Sequence, residues 1–234
     1  MVEDEGVRAA RLMEAQAKAV ELFAAVETHG VIAPGVRETE ASKAIRDLAA
    51  EMFGVDRHWH KRIVRAGPNT LKPYQYNPPD RVIAADDIVF LDFGPIFEEW
   101  EADFGRTYVL GGDPVKLRLR DALPVMFRAG RRFFHEHEDV TGEQLYAYMT
   151  GLAEADGWTF GGTIAGHLVG QFPHEKIAGE KVGSYIAPGS DRPMRRTDRN
   201  GQIAHWILEV HLADTGRRIG GFFEELLDLG PGPG

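Results

Sequence analysis

The stretch Asp87-Ile88-Val89-Phe90-Leu91-Asp92-Phe93-Gly94, followed after a polar interval by Asp103-Phe104-Gly105-Arg106-Thr107-Tyr108-Val109-Leu110-Gly111, decides how this chain is read. Ile88 to Phe93 is a short apolar run of strand character, Glu98 and Glu99 mark a polar turn, and Asp103 opens the next run. The spacing predicts a hairpin whose two aspartates sit on adjacent antiparallel strands. Carboxylates so placed can converge on one point, as divalent cations that prefer oxygen ligands require. Taken alone, acidic residues at strand ends are equally ordinary solvated turn residues.

Upstream, Leu12, Ala19, Phe23 and Val26 recur at helical spacing between Val7 and Val26, and Pro34-Gly35 ends that pattern. A second helix carries Ala41, Ile45, Leu48 and Met52 on one stripe, with Gly54 as its stop. Ile63-Val64 reads as a strand, and the proline-rich segment from Gly67 to Asp80 as loop. Downstream the order repeats. Leu119, Leu123, Met126 and Phe127 mark a long helix, and Thr141 with Gln144 forms a capping box for another that closes at Gly157. Strand-like segments then return, so the element order predicts a duplicated α+β architecture: two helix-helix-strand halves, about 1–112 and 113–234, sharing one sheet within a single domain.

Three further segments hold candidate ligands. Gly166-His167-Leu168-Val169-Gly170-Gln171-Phe172-Pro173-His174-Glu175 places two imidazoles in a stretch interrupted by Gly and Pro, where backbone can approach a ligand closely. A buried histidine beside an unrelated surface one would explain it as well. Glu209 lies within Trp206-Ile207-Leu208-Glu209-Val210, and Glu224 between Phe222-Phe223 and Leu226-Leu227. A carboxylate among bulky apolar residues needs a partner or a metal if buried, unless strand alternation turns it outward. His58 and His60 beside Trp59, and His135 and His137 on a helix, read as surface residues.

Composition narrows the chemistry. The 234 residues include no cysteine, which removes disulfides, thiolate catalysis and sulfur ligands, so any metal shell is built from O and N donors. With 36 acidic against 27 basic residues the net charge is −9, which argues against a nucleic-acid partner. The one basic cluster, Arg192 to Arg199, reads as a solvated loop. No apolar run is long enough to cross a membrane, and the acidic start Met1-Val2-Glu3-Asp4-Glu5 lacks secretory character, so an unexported, cytoplasmic chain is expected.

Together these motifs resemble, in order, the metal-binding signature of the methionine aminopeptidase, prolidase and creatinase superfamily, whose catalytic domain has the pita-bread fold with a curved, mainly antiparallel sheet. Arg106-Thr107 after the second aspartate is closest to the prolidase and Xaa-Pro aminopeptidase branch, and Ile32-Ala33-Pro34-Gly35 is similar to the turn between that family's first two helices. The resemblance runs from about Val7 to Gly230. It implies a catalytic domain holding two divalent metal ions, Mn, Co, Fe or Zn, on Asp92, Asp103, His167, Glu209 and Glu224. Asp103, His167 and Glu224 would share one ion, Asp92 and Glu224 the other, with Glu209 bridging or flanking the pair. The implied reaction is hydrolysis of a dipeptide, Xaa-Pro or related small amide bond, in which Glu209 relays the proton and His174 stabilises the developing oxyanion.

The chain also departs from the pattern. Tyr74 stands where that branch carries a substrate-contacting histidine, Glu209-Val210-His211 replaces Glu-Pro-Gly, and Glu99-Trp100 replaces Gly-Tyr before the second aspartate. Tyr74, Trp100 and His174 are therefore the expected substrate contacts. The departures also keep open a different metal-dependent reaction on a small metabolite, or a peptide- or protein-binding module without catalysis. The expected partner is a small molecule or short peptide, with no nucleic acid or membrane and with a homodimer as the expected assembly.

Overall fold

The computed structural model describes residues 4–72, 74–173, 182–198 and 201–230. Helix α1 spans Glu5–Thr28 and opens where the Asp4 carboxylate accepts from the Val7 amide, 3.3 Å away. Its buried face carries Leu12, Ala15, Ala19, Leu22, Phe23 and Val26. Helix α2, Glu38–Phe53, ends at Gly54, whose φ of 69° is the left-handed conformation that glycine tolerates. Its buried stripe is Ala41, Ile45 and Ala49, and Met52 is exposed. The expected stripe is thus rotated onto Ala49, a residue too small to stand out as apolar in the sequence.

Helix α3, Pro114–Glu136, buries Leu119, Leu123, Met126 and Phe127. Helix α4, Gly142–Ala155, starts with the expected capping box: the Thr141 hydroxyl accepts from the Gln144 amide and the Gln144 side chain accepts from the Thr141 amide. The basic segment is an exposed loop, as expected, yet Arg195 is engaged there. Arg195 lies over the Phe134 ring and donates to the carbonyls of Phe134, His137 and Glu138, so it satisfies carbonyls left open at the end of α3.

The strands are β1 (Ile63–Ala66), β2 (Ile88–Phe93), β3 (Ile96–Phe97), β4 (Trp100–Glu101), β5 (Phe104–Val109), β6 (Thr159–Phe160), β7 (Gly166–Val169), β8 (His205–Asp214) and β9 (Ile219–Leu226). Seven form one antiparallel sheet in the order β1-β2-β5-β9-β8, with β6 and β7 both paired to β8. The expected hairpin exists as β2 and β5, but its connection folds into the small β3–β4 ladder, with Glu98 and Glu99 at the turn. The two halves meet at the β5–β9 seam. One apolar core gathers α1, α2 and β2 residues such as Leu91 and Phe93; a second gathers α3, α4 and β8 residues such as Leu208 and Val210. Pleat alternation sends these side chains to the helices and Asp92 and Glu209 to the opposite face.

Two glycines bear opposite expectations. At Gly166 φ is 141° and a Cβ would come within 2.0 Å of the Ile207 carbonyl oxygen, whereas Gly151, inside α4, has open space around it. Gly166→Ala should therefore lower the thermal midpoint by roughly 5 °C or more. Gly151→Ala should raise stability by about 0.5–1 kcal/mol, and scanning calorimetry of the two variants checks both signs.

Candidate metal centre

Register assembles the site. Asp92 on β2 lies opposite Gly105 on β5, Gly105 opposite Glu224 on β9, and Glu224 opposite Glu209 on β8, so four strands contribute to one transverse row. Asp103 precedes Gly105 by two residues and shares its face. His167 enters from β7, where it pairs with Ile207. A side chain at Gly105 would strike the Phe222 ring at 2.5 Å, so the empty place in the row makes room for that ring.

The structure thus gathers Asp92, Asp103, His167, Glu209 and Glu224 on the wall of one cavity of about 680 Å³. The His167 Nε2 atom is 2.9 Å from Asp103 Oδ2, 3.7 Å from Glu209 Oε1 and 4.0 Å from Glu224 Oε1. Glu224 is buried, and its Oε2 finds no hydrogen-bond donor among the described residues.

His60, expected at the surface, belongs to this cluster instead. Its side chain is only 6% exposed, and its Nε2 lies 3.1 Å from Asp103 Oδ1 and 3.4 Å from Asp92 Oδ1. The cause is strand pairing: β1 runs antiparallel to β2 with Ile63 opposite Asp92, which carries the residues before Ile63 past Asp92 towards Gly94. The Trp59 amide donates to the Gly94 carbonyl, and a Cβ at Gly94 would meet the His60 and Trp59 rings at 2.3 Å. Trp59 stands edge-on to both His60 and His167, with centroids at 4.5 and 5.1 Å, and bears on both.

Both histidines are held in the same way. His60 Nδ1 lies 2.7 Å from the Lys61 carbonyl and His167 Nδ1 2.7 Å from the Leu168 carbonyl, acceptors that require N–H at Nδ1. Each Nε2 is thereby aimed at the carboxylates, to which it donates a proton in the absence of a cation; on losing that proton it would turn its lone pair to a cation, with N–H kept at Nδ1. His60, Asp92 and Asp103 form one group, and Asp103, His167 and Glu224 another, in which the donor atoms lie within 4.8 Å of one another.

The remaining expected residues fall apart in space. Tyr74 lies at the cavity rim, 45% exposed, with Lys61 Nζ 4.7 Å above its ring. Trp100, expected to touch substrate, is packed instead in the apolar core beside α1, does not line the cavity and pairs with Phe97 in the β3–β4 ladder. Its replacement of the family tyrosine therefore changes packing. His174 lies outside the described residues. His211, to which the sequence assigns no role, lines the cavity one row beyond Glu209.

Charge in the cluster is unbalanced. Burial pushes Asp92 up to about 6 and Glu209 up to about 8, and it raises Glu224 well above the usual carboxylate range, helped by the neighbouring carboxylates. Burial opposes ionisation of Asp103 too, but His60 and His167 outweigh it and hold its pKa low. Burial likewise works against the histidine charges, and the carboxylates override it, lifting His60 to about 10 and His167 to about 9. His211 is the opposite case, pushed down to about 4 chiefly by burial.

With this geometry in view, the comparisons with known proteins are direct. Residues 10–211 match the model of metallopeptidase family M24, and the chain belongs to that family. It has the pita-bread fold. Prolidase from Thermococcus sibiricus superposes with a TM-score of 0.71 at 21% identity, covering 97% of this chain and 59% of that one. A dipeptidase from Pyrococcus horikoshii OT3 gives 0.73 at 19%, covering 100% and 63%. Methionine aminopeptidase from Rickettsia prowazekii gives 0.67 at 14%, covering 94% and 92%. The chain spans about three fifths of the length of the prolidase and dipeptidase. No curated protein matches its sequence significantly.

The protonation pattern fixes a sign for stability in the absence of metal. Carboxyl and imidazole groups whose folded pKa is raised contribute stability that is present below their unfolded pKa and lost as pH rises through the folded value. Asp92, Glu209, Glu224, His60 and His167 all act in this direction. Chelator-treated protein should accordingly melt at lower temperature at pH 8 than at pH 5.5. A midpoint that climbs over this interval would contradict the assignment.

Proposed function

We propose that the chain is a metal-dependent hydrolase of small amides, cleaving a dipeptide, Xaa-Pro or related bond with two divalent cations, Mn, Co, Fe or Zn. The observation that carries this reading is the convergence of four carboxylates and two tautomer-fixed imidazoles, drawn from both halves of the sheet, on one cavity. The donor set fits cations: it is entirely O and N, it crowds four carboxyl groups whose ionisation burial opposes, and the Glu224 Oε2 atom lacks a donor among the described residues. The pairing into groups suggests Asp103, His167 and Glu224 for one cation and His60, Asp92 and Asp103 for the other. This differs from the sharing that resemblance implies by adding His60 and making Asp103 the common ligand.

Bound cations supply positive charge that polarises an amide carbonyl and acidifies water. The rest falls to the protein. Glu209, raised to about 8, can take up and return a proton near neutral pH, and it faces the cavity between His167 and Glu224. Trp59 holds both imidazoles in place. A cavity of about 680 Å³ suits a dipeptide-sized substrate, the size of partner proposed here. Tyr74 and His211 both border that space, which keeps a non-peptide amide as the second reading.

Titrating chelator-treated protein with Mn or Co should bind two equivalents and release protons, because Glu209, His60 and His167 hold them near neutrality. Asp103→Ala should abolish tight binding and reduce dipeptide turnover at least about 1,000-fold, and His60→Ala should weaken one site about 10- to 100-fold. Loaded wild-type protein that turns over neither dipeptides nor small amides would overturn the proposal. Full retention of metal and turnover by Asp103→Ala would show that the centre is misplaced.

A further inference from the structure

The cavity extends one row beyond the carboxylates. Phe90, two residues before Asp92, and Phe222, two residues before Glu224, lie there with Ile63 in a small buried apolar cluster, and their rings are 5.5 Å apart. His211 pairs with Phe222 across the ladder and stands edge-on to both phenylalanines, with centroids at 5.9 and 6.1 Å. Successive same-face positions on a strand are about 7 Å apart, the reach of a substrate side chain from a bond held at the carboxylate row.

The orientation of the His211 ring is fixed from behind. Its Nε2 lies 3.1 Å from the Thr70 carbonyl oxygen, an atom that can only accept, so the proton sits on Nε2 and Nδ1 carries a lone pair. Thr70 is itself immobilised: it is fully buried, its hydroxyl donates to the Gly67 carbonyl at 2.6 Å and accepts from the Gly220 amide at 2.8 Å. Nδ1 has no hydrogen-bond partner among the described residues. It lies on the cavity wall beside Gly161, where a Cβ would come within 2.8 Å of it. Arg65, the nearby cation, donates to the carbonyls of Lys72 and Tyr76 and so is already engaged.

We propose that His211 is a specificity-determining residue whose Nδ1 accepts a hydrogen bond from the phenol of a tyrosine-like substrate side chain seated on Ile63, Phe90 and Phe222. An apolar floor flanked by ring edges favours a flat aromatic group, and a single pre-oriented acceptor selects one that carries a donor. The proposal rests on the cavity being the substrate site of the hydrolase described above.

The test uses the full chain, as purified and after chelation, with two neutral probes: 4-hydroxyphenylacetamide and phenylacetamide, their affinities measured by ligand-observed NMR. The hydroxylated probe should bind wild type about 5- to 30-fold more tightly. His211→Leu should bring the ratio to about 1. His211→Gln, which can donate to Thr70 through its amide and present its carbonyl to the cavity, should restore a preference. Equal affinities in wild type, or a preference that survives in folded His211→Leu, would overturn the proposal. Turnover of Tyr- against Phe-containing dipeptides is a separate arm: probe selectivity without any turnover upholds the subsite and removes the hydrolase reading instead.

Discussion

The cost of crowding buried carboxylates governs this structure. Asp92, Asp103, Glu209 and Glu224 crowd together, largely buried, on the wall of one cavity, and the attraction of two imidazoles compensates only part of the cost of ionising them there. A fold that needed stability alone would place apolar residues here, since the strands on either side are apolar and the helices behind them pack well. The arrangement makes physical sense as a receptacle for positive charge. The rest of the site serves to keep the donors apart and aimed: backbone carbonyls orient both imidazoles, Trp59 braces them, and the bare backbone at Gly94 and Gly105 leaves room for neighbouring rings.

The Arg106-Thr107 pair illustrates how a motif can be structural. Gly105 opposite Glu224 is the one ladder pair between β5 and β9 among the described residues. Beyond it the Thr107 hydroxyl takes over, donating to the Phe222 carbonyl and accepting from the Phe222 amide. On the other face Arg106 reaches the Glu224 carbonyl and the Glu225 carboxylate and lies between the Phe104 and Phe223 rings. These two side chains replace a backbone ladder that ends early, and they do so beside the acidic row.

Much of the architecture is legible in the chain because helices and strands announce themselves locally. The repeats at Leu12 to Val26 and Leu119 to Phe127, the Thr141 cap and the runs at Ile88 and Thr107 all lie where periodicity and turn chemistry put them. The five acidic and histidine positions at 92, 103, 167, 209 and 224 stand out for a different reason, their order along the chain. His60 and His211 escape this kind of reading: nothing in their neighbours reveals them, and each acquires its place only from which strand lies alongside which. Trp100 fails in the converse way. A motif position gives no information on which side of the local ladder a bulky ring will fall, and here the apolar core beside α1 takes it.

The narrow seam between the halves has a further implication. Asp103 belongs to the first half and His167, Glu209 and Glu224 to the second, so the distances among them are a property of the joint more than of either half. A slight widening between β5 and β9 would spread the donors without unfolding a single helix. In the metal-loaded state proposed above, cation radius and strand separation would be coupled, and the Thr107 bonds that close the seam would bear on the fit.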